Sequence, residues 1–147
     1  MPRIIILDDP LTPEEHINLG VIYEKKGEIG QAIEEYKKAT KKMPSAYLYL
    51  GNAYFQKGDF KEAERNYKKA IKKQPDLSDA YNNLAWLYYI NVKDFDNESI
   101  EILEKAEGLA IKALELKPAN EDYQDTLNKI RDRKIEIENA LRFRNRL

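Results

Sequence analysis

The sequence predicts an all-α fold, a stack of three helical hairpins closed by a long C-terminal helix, and three observations predict it. A series of small and aromatic residues recurs at fixed spacing, the stretches between its members have helical periodicity, and glycine and proline fall where such helices must stop. The series is fullest in residues 44–75, as Leu50-Gly51, Tyr54, Gly58, Ala63, Tyr67, Ala70 and Pro75. Upstream it reads Leu19-Gly20, Tyr23, Gly27, Ala32, Tyr36, Ala39 and Pro44; downstream, Leu84-Ala85, Tyr88, Ala106, Ala110, Ala113 and Pro118. One domain over residues 1–147 then divides into an arm (1–11), three repeats (12–43, 44–77 and 78–119, the last with an insertion at 91–99) and a capping helix (120–147).

Residues 1–11 contain Pro2 and Pro10, which excludes one continuous helix. Ile4-Ile5-Ile6-Leu7 is apolar and β-branched and prefers an extended shape, as an arm on the first helix, a loose terminus, or a strip in a groove of this chain or another copy. Thr12, Pro13 and Glu15 form a helix start: N-cap, first-turn proline and capping box. The first helix is expected over 13–26 with Gly27 as its left-handed stop. The second runs to about 42, with Ile29, Ala32, Ile33, Tyr36 and Ala39 facing inward until Pro44. The second unit repeats the plan, with a helix over 45–57, a stop at Gly58, a start at Asp59 and Phe60, Ala63, Tyr67, Ala70 and Ile71 inward. Gly20, Gly51, Ala32 and Ala63 let the paired backbones approach, while Tyr23 and Tyr54 fill wider gaps.

The third unit departs from this plan. Its first helix is expected over 77–93, started by Asp76 or Ser78. Tyr88 and Ala106 are separated by 17 residues where Tyr54 and Ala63 are separated by eight, so 91–97 reads as a longer loop and 97–117 as a lengthened helix. Only two residues separate Pro44 from Tyr47, against five between Pro75 and Tyr81, a shorter joint that should change the local angle between units. In the last segment Tyr123, Leu127, Ile130, Ile137 and Leu141 form one apolar stripe that closes the stack. Residues 129–147 hold seven basic and three acidic side chains: a solvated helix whose arginines suit its C-terminal dipole, a dimerisation helix, or a contact for an acidic partner.

Composition narrows the chemistry. Charged residues make up 35% of the chain but the net charge is only -1, so the two signs are interleaved and a dedicated nucleic-acid binder is not expected. There is no cysteine and one histidine, His16, which removes thiolate chemistry and argues against a zinc site or a histidine-dependent triad. No phosphate-binding glycine run and no nucleophile beside a base stands out, so no enzyme, no cofactor and no metal is expected. The opening apolar run is too short for a signal peptide or membrane span, which points to the cytoplasm. Lys and Glu enrichment without cysteine matches the composition of hyperthermophile proteins.

The recurring series resembles the tetratricopeptide repeat, a helix-turn-helix unit of about 34 residues, over roughly residues 12–118. The resemblance implies a right-handed superhelical solenoid whose concave side is lined by the first helix of each pair. A second stripe on those helices supports such a lined groove: Glu14, Ile17, Asn18, Val21 and Lys25; then Ser45, Leu48, Tyr49, Asn52, Phe55 and Gln56; then Asp79, Asn82, Asn83, Trp86, Tyr89 and Ile90. Tyr49, Phe55, Trp86 and Tyr89 are either packed under the terminal segments or left open as anchors for a partner. Asn18, Asn52, Asn82 and Asn83 are poor helix formers on that stripe, and a carboxamide can pair with both polar groups of an extended peptide backbone.

These eight residues are therefore the candidate peptide-binding site of a non-catalytic adaptor with a protein partner and no nucleic-acid or membrane ligand. Asn52 and Trp86 are expected to be replaceable without loss of fold. The alternative is a homo-oligomer assembled through the arm or the terminal helix. Relatives that hold the acidic C-terminus of heat-shock chaperones use a clamp of Lys, Asn and Arg. The matching positions here read Ile17, Val21, Tyr49, Asp79 and Asn83, so a free C-terminal carboxylate is not the expected ligand.

Overall fold

In a computed structural model, which describes residues 9–146, the chain forms α1 (Pro13–Lys25), α2 (Ile29–Ala39), α3 (Ala46–Lys57), α4 (Phe60–Lys73), α5 (Ser78–Asn91), α6 (Asn97–Leu116) and α7 (Glu121–Arg144). The expectation for residues 4–7 lies outside the described residues. Among those described there is no strand, and no helix is long and apolar enough to cross a membrane. The pairs α1/α2, α3/α4 and α5/α6 are helical hairpins; α2 packs on α3, α4 on α5, and α7 on both α6 and α5. The result is an all-α repeat solenoid whose core is strung along the stack, since each unit buries its apolar face on its neighbours.

Local chemistry sets most helix ends. Thr12 Oγ1 accepts from the Glu15 N–H at 3.2 Å and Glu15 Oε2 accepts from the Thr12 N–H at 2.7 Å, a complete capping box. Asp59, Asp96 and Asn120 cap α4, α6 and α7 by accepting from the N–H groups of Glu62, Ser99 and Tyr123. Gly27 and Gly58 turn the chain at φ +77° and +82°, conformations that favour glycine.

Four boundaries differ from expectation. Helix α2 stops at Ala39 rather than near 42: Thr40 Oγ1 donates to the Lys37 carbonyl at 2.7 Å, and the chain continues in tighter turns toward Pro44. Ser45 lies in helical backbone and makes no side-chain cap. Three successive bonds of the i to i+3 kind, Ala46 to Met43, Tyr47 to Pro44 and Leu48 to Ser45, wind the short joint directly into α3. Neither Asp76 nor Ser78 caps α5; the Ser78 hydroxyl instead lies 3.1 Å from the Tyr123 hydroxyl, which also donates to Asp79. Helix α5 ends at Asn91, two residues early, because Val92 turns extended and buries its side chain in the α5–α6–α7 core.

In the first two units a tyrosine ring lies flat against a glycine: Tyr36 of α2 on Gly20 of α1, and Tyr67 of α4 on Gly51 of α3. A Cβ at Gly51 would stand 2.6 Å from two Tyr67 ring carbons, closer than side chains tolerate. The third unit replaces both partners, with Ala85 at the glycine position and Ala110 at the tyrosine position, and both alanines are fully buried. One methyl on each side takes the place of a ring on one side.

His16 is the other buried tie. It is 3% exposed, with Nδ1 2.6 Å from Glu35 Oε2 and Nε2 3.1 Å from Asp9 Oδ2, so it joins the segment before α1 to α2. Both contacts are hydrogen bonds only when both ring nitrogens carry protons. Burial pushes the Glu35 carboxyl up, and hydrogen bonds from Lys38 and His16 outweigh it, so the group sits below its ordinary value.

Helix α7 buries Tyr123, Leu127, Ile130 and Ile137 against the last hairpin. Its basic residues have internal partners: Arg131 Nε and Lys134 Nζ each lie 2.7 Å from a Glu107 oxygen on α6, and the Arg133 guanidinium stands 4.6 Å from the centre of the Phe95 ring. Arg144 donates to the Phe95 carbonyl at 2.7 Å, which ties down the inserted loop. The terminal helix is thus a bolt on the third unit, and much of its basic excess is spent there.

Two outcomes test this packing. Gly51→Ala should lower unfolding free energy by about 1–3 kcal/mol through overpacking, whereas Gly108→Ala, where a side chain meets open space, should raise it by about 0.5–1 kcal/mol; urea melts read both. Hydrogen bonds from Lys134 and Arg131 hold the Glu107 carboxyl below its ordinary value of 4.5 against the opposing effect of burial. Because the folded value is the lower one, its stabilisation is present above about pH 4.5 and is lost as pH falls through the folded value. Glu107→Gln should cost about 1 kcal/mol at pH 7 and flatten the stability profile below pH 4.5, as followed by thermal melts across pH.

Candidate functional site

Between α3 and α5, the first helices of successive hairpins and so the expected inner side of the stack, lies a cleft of about 270 Å³. Asn52, Phe55 and Gln56 of α3 form one wall, Asn83 and Trp86 of α5 the other, and Tyr67 of α4 reaches into it. The tyrosine arrives there because its ring crosses Gly51: with no Cβ in the way, the phenol passes the α3 backbone and its hydroxyl donates to Asn52 Oδ1 at 2.9 Å. Asn83 Nδ2 donates to the same oxygen at 2.9 Å, which links the second unit to the third. The two lone pairs of the Asn52 oxygen are then used, while its NH2 group and the Asn83 oxygen take no part in this network. Burial pushes the Tyr67 phenol well above its ordinary value, so it stays a neutral donor.

Helix α7 borders the far side. Trp86 and Tyr89 have ring centres 5.1 Å apart, and Lys129 Nζ stands 5.3 Å from the centre of the Trp86 ring. Lys129 also pairs with Asp125 at 2.6 Å, and that hydrogen bond raises its pKa. Beyond Lys129 a second cleft of about 580 Å³ runs between Tyr89 and Ile90 of α5 with Val92 just after it, and Lys129, Asp132, Arg133 and Glu136 of α7. The inner wall therefore passes from a carboxamide and aromatic floor to a mixed-charge rim.

Of the eight residues singled out in the sequence, Asn52, Phe55, Asn83 and Trp86 meet in one cleft, and Tyr89 lines the adjoining one. Tyr49 is 38% exposed a turn earlier on α3, with its ring 5.6 Å from that of Tyr36. Asn18 lies exposed on α1, away from the cleft lining. Asn82 is half-buried, and its carbonyl oxygen is buried without a hydrogen-bond partner. Asn52, expected to be replaceable without loss of fold, has a structural duty as well: its oxygen accepts from both the Tyr67 phenol and Asn83 of the neighbouring helix. Tyr67 and Lys129 were missed as wall residues. The Gly51 and Tyr67 spacing carried the signal for the first, while nothing local in the sequence places α7 beside Trp86.

Asn52→Ala should cost about 1–3 kcal/mol, because it leaves the Tyr67 hydroxyl unsatisfied, and should lower the melting temperature. Trp86→Ala, on a half-buried ring at the cleft edge, should cost less than Asn52→Ala in the same urea melts.

No curated protein matches the chain. Among solved structures, the first TPR of Spaghetti (RPAP3) bound to the HSP90 peptide SRMEEVD is similar at a TM-score of 0.70 and 24% identity, over 86% of this chain and 96% of that one. The first TPR domain of human RPAP3 reaches a TM-score of 0.74 at 24% identity, over 90% and 99% of the two chains. TTC0263, a thermophilic TPR protein of Thermus thermophilus, reaches 0.69 at 20% identity, over 81% and 64%. These likenesses concern the fold. A family model described as tetratricopeptide repeat matches residues 13–46, and another described as TPR repeat matches residues 51–91. With α1/α2 under the first match and α3 to α5 under the second, the chain belongs to the tetratricopeptide repeat family.

Proposed function

We propose that the chain is a non-catalytic interaction adaptor that takes an extended segment or a helix of a protein partner along its inner wall. The observation that carries this reading is the cleft between α3 and α5, where Phe55 and Trp86 flank carboxamide groups that the internal network leaves unused. Apolar anchors beside paired donors and acceptors suit a peptide, whose backbone needs both and whose side chains fill the hollows.

The chemistry of the ligand follows from the side chains present. The peptide in the Spaghetti complex is an HSP90 peptide. At the five positions where chaperone-binding relatives carry their clamp, this chain has a buried Ile17, Val21, Tyr49, an Asp79 that accepts from Tyr123, and an Asn83 already bonded to Asn52. None supplies a cation. An uncharged or mixed-charge segment fits this wall better than a terminal carboxylate, and the rim formed by Lys129, Asp132, Arg133 and Glu136 favours mixed charge.

A second reading is self-assembly through α7, favoured by the exposure of Ile135 (53%) and Phe143 (68%) on that helix. Light scattering on the full chain and on an Ile135→Glu/Phe143→Glu variant tests it; a monomer in both removes it.

Trp86 is the only tryptophan, so its emission reports on the cleft directly. Affinity capture from native lysate should retain a partner with the wild-type chain and lose it with Trp86→Ala, while thermal melts show that the variant stays folded. Adding the purified partner should shift Trp86 emission to shorter wavelength. Retention by Trp86→Ala, or an emission unchanged at saturating partner, would sink the inner-wall reading.

A further inference from the structure

A second groove, framed by the second helices of two hairpins and so on the expected outer side of the stack, shares no residue with the cleft between α3 and α5. It holds about 500 Å³ between α4 and α6, within the usual range for ligand sites of about 300–1,000 Å³. Its floor is apolar, made by Ile71 of α4, Leu84 and the ring of Tyr88 from α5, and Leu109 of α6. Gly108 keeps the α6 side low, and a side chain built there meets nothing within 4 Å.

The rim is basic. Lys68 and Lys72 stand on the α4 side and Lys105 on the α6 side, all three exposed. Lys68 is tied to Glu64, which also accepts from Tyr88 and closes one end. Among the described residues neither Lys72 nor Lys105 lies within ion-pair distance of a carboxylate. Helix α4 has six basic and two acidic residues in a chain whose net charge is -1, so this is a local field rather than an average one. Of the acidic residues of α6, Glu107 pairs with Arg131 and Lys134 and Glu115 with Lys112, while Glu101 and Glu104, the two nearest Lys105 on the N-terminal side, are in no ion pair among the described residues and temper the field on that rim.

We infer that this outer groove docks an acidic amphipathic helix of a partner protein, whose apolar side chains enter the floor while its carboxylates meet Lys72 and Lys105. The floor suits a peptide's apolar side chains better than a nucleic acid, since three of its four side chains are aliphatic and the Tyr88 ring alone could stack on a base. The paired cations on opposite rims select acidic flanks on both sides of the apolar stripe. The groove is separate from the inner cleft, so the two surfaces can be occupied together and tested apart.

The test is a titration of the ¹⁵N-labelled full chain with a synthetic sixteen-residue helix carrying leucine at i, i+3, i+4 and i+7 and glutamate elsewhere. Amide shifts should centre on Ile71, Leu84, Gly108 and Leu109 and weaken at least tenfold when salt is raised from 50 to 500 mM. Gly108→Trp, which fills the groove, and Lys72→Glu/Lys105→Glu should each weaken binding at least tenfold, with melting temperatures that verify the fold; Trp86→Ala should leave it unchanged. A peptide with every glutamate replaced by glutamine should bind at least tenfold more weakly. Shifts centred on Asn52, Asn83 and Trp86, equal binding of the glutamine peptide, no shifts at 1 mM peptide, or tighter binding of a sixteen-nucleotide single strand would each overturn the inference.

Discussion

The architecture depends on a ring pressed onto a bare backbone. Where Tyr36 meets Gly20 and Tyr67 meets Gly51, the absence of a Cβ lets two helices approach across a flat aromatic face. That contact holds each hairpin together, and in the second unit it also carries a phenol through to the inner side. Packing and site are thus one feature there: the same side chain that stiffens the α3/α4 pair orients the Asn52 carboxamide from below. The third unit, with alanine on both sides of the equivalent contact, keeps the packing and gives up the hydroxyl. Its inner face is correspondingly built from Trp86 and from what α7 brings.

Helix α7 does more than end the array. A solenoid exposes the apolar face of its last unit, and Leu127, Ile130 and Ile137 cover it here. The remaining contacts are directional: two cations on Glu107, one guanidinium on the Phe95 ring and one on its carbonyl. Those bonds fix the inserted loop and set Lys129 over Trp86, so the helix shapes the inner wall as well as sealing the core.

Much of this was legible in the chain. Repeat spacing, the capping box at Thr12, the left-handed glycines and the lengthened sixth helix are local consequences of residue type, and sequence reports local consequences well. The inner stripe was legible too, because helical periodicity places Asn52, Phe55, Asn83 and Trp86 on equivalent faces. What periodicity could not supply was pairing across units. That Asn52 would spend its oxygen on Tyr67 and Asn83, or that Ser78 would turn to Tyr123 rather than cap its own helix, depends on distances between elements far apart in the chain. The short joint at Pro44 shows the same limit: its residue count was plain, but its continuous winding into α3 arises from backbone bonds that no side chain announces.

The bond from Asn83 to Asn52 spans two successive repeats at the place where a guest would lie. Any visitor that competes for that donor gives up one tie of the scaffold in exchange for one of its own, so its net affinity includes the elastic cost of relaxing the joint. On the proposed binding mode, occupancy would therefore be coupled to curvature, and the stack of helices would register a guest as a change in bend.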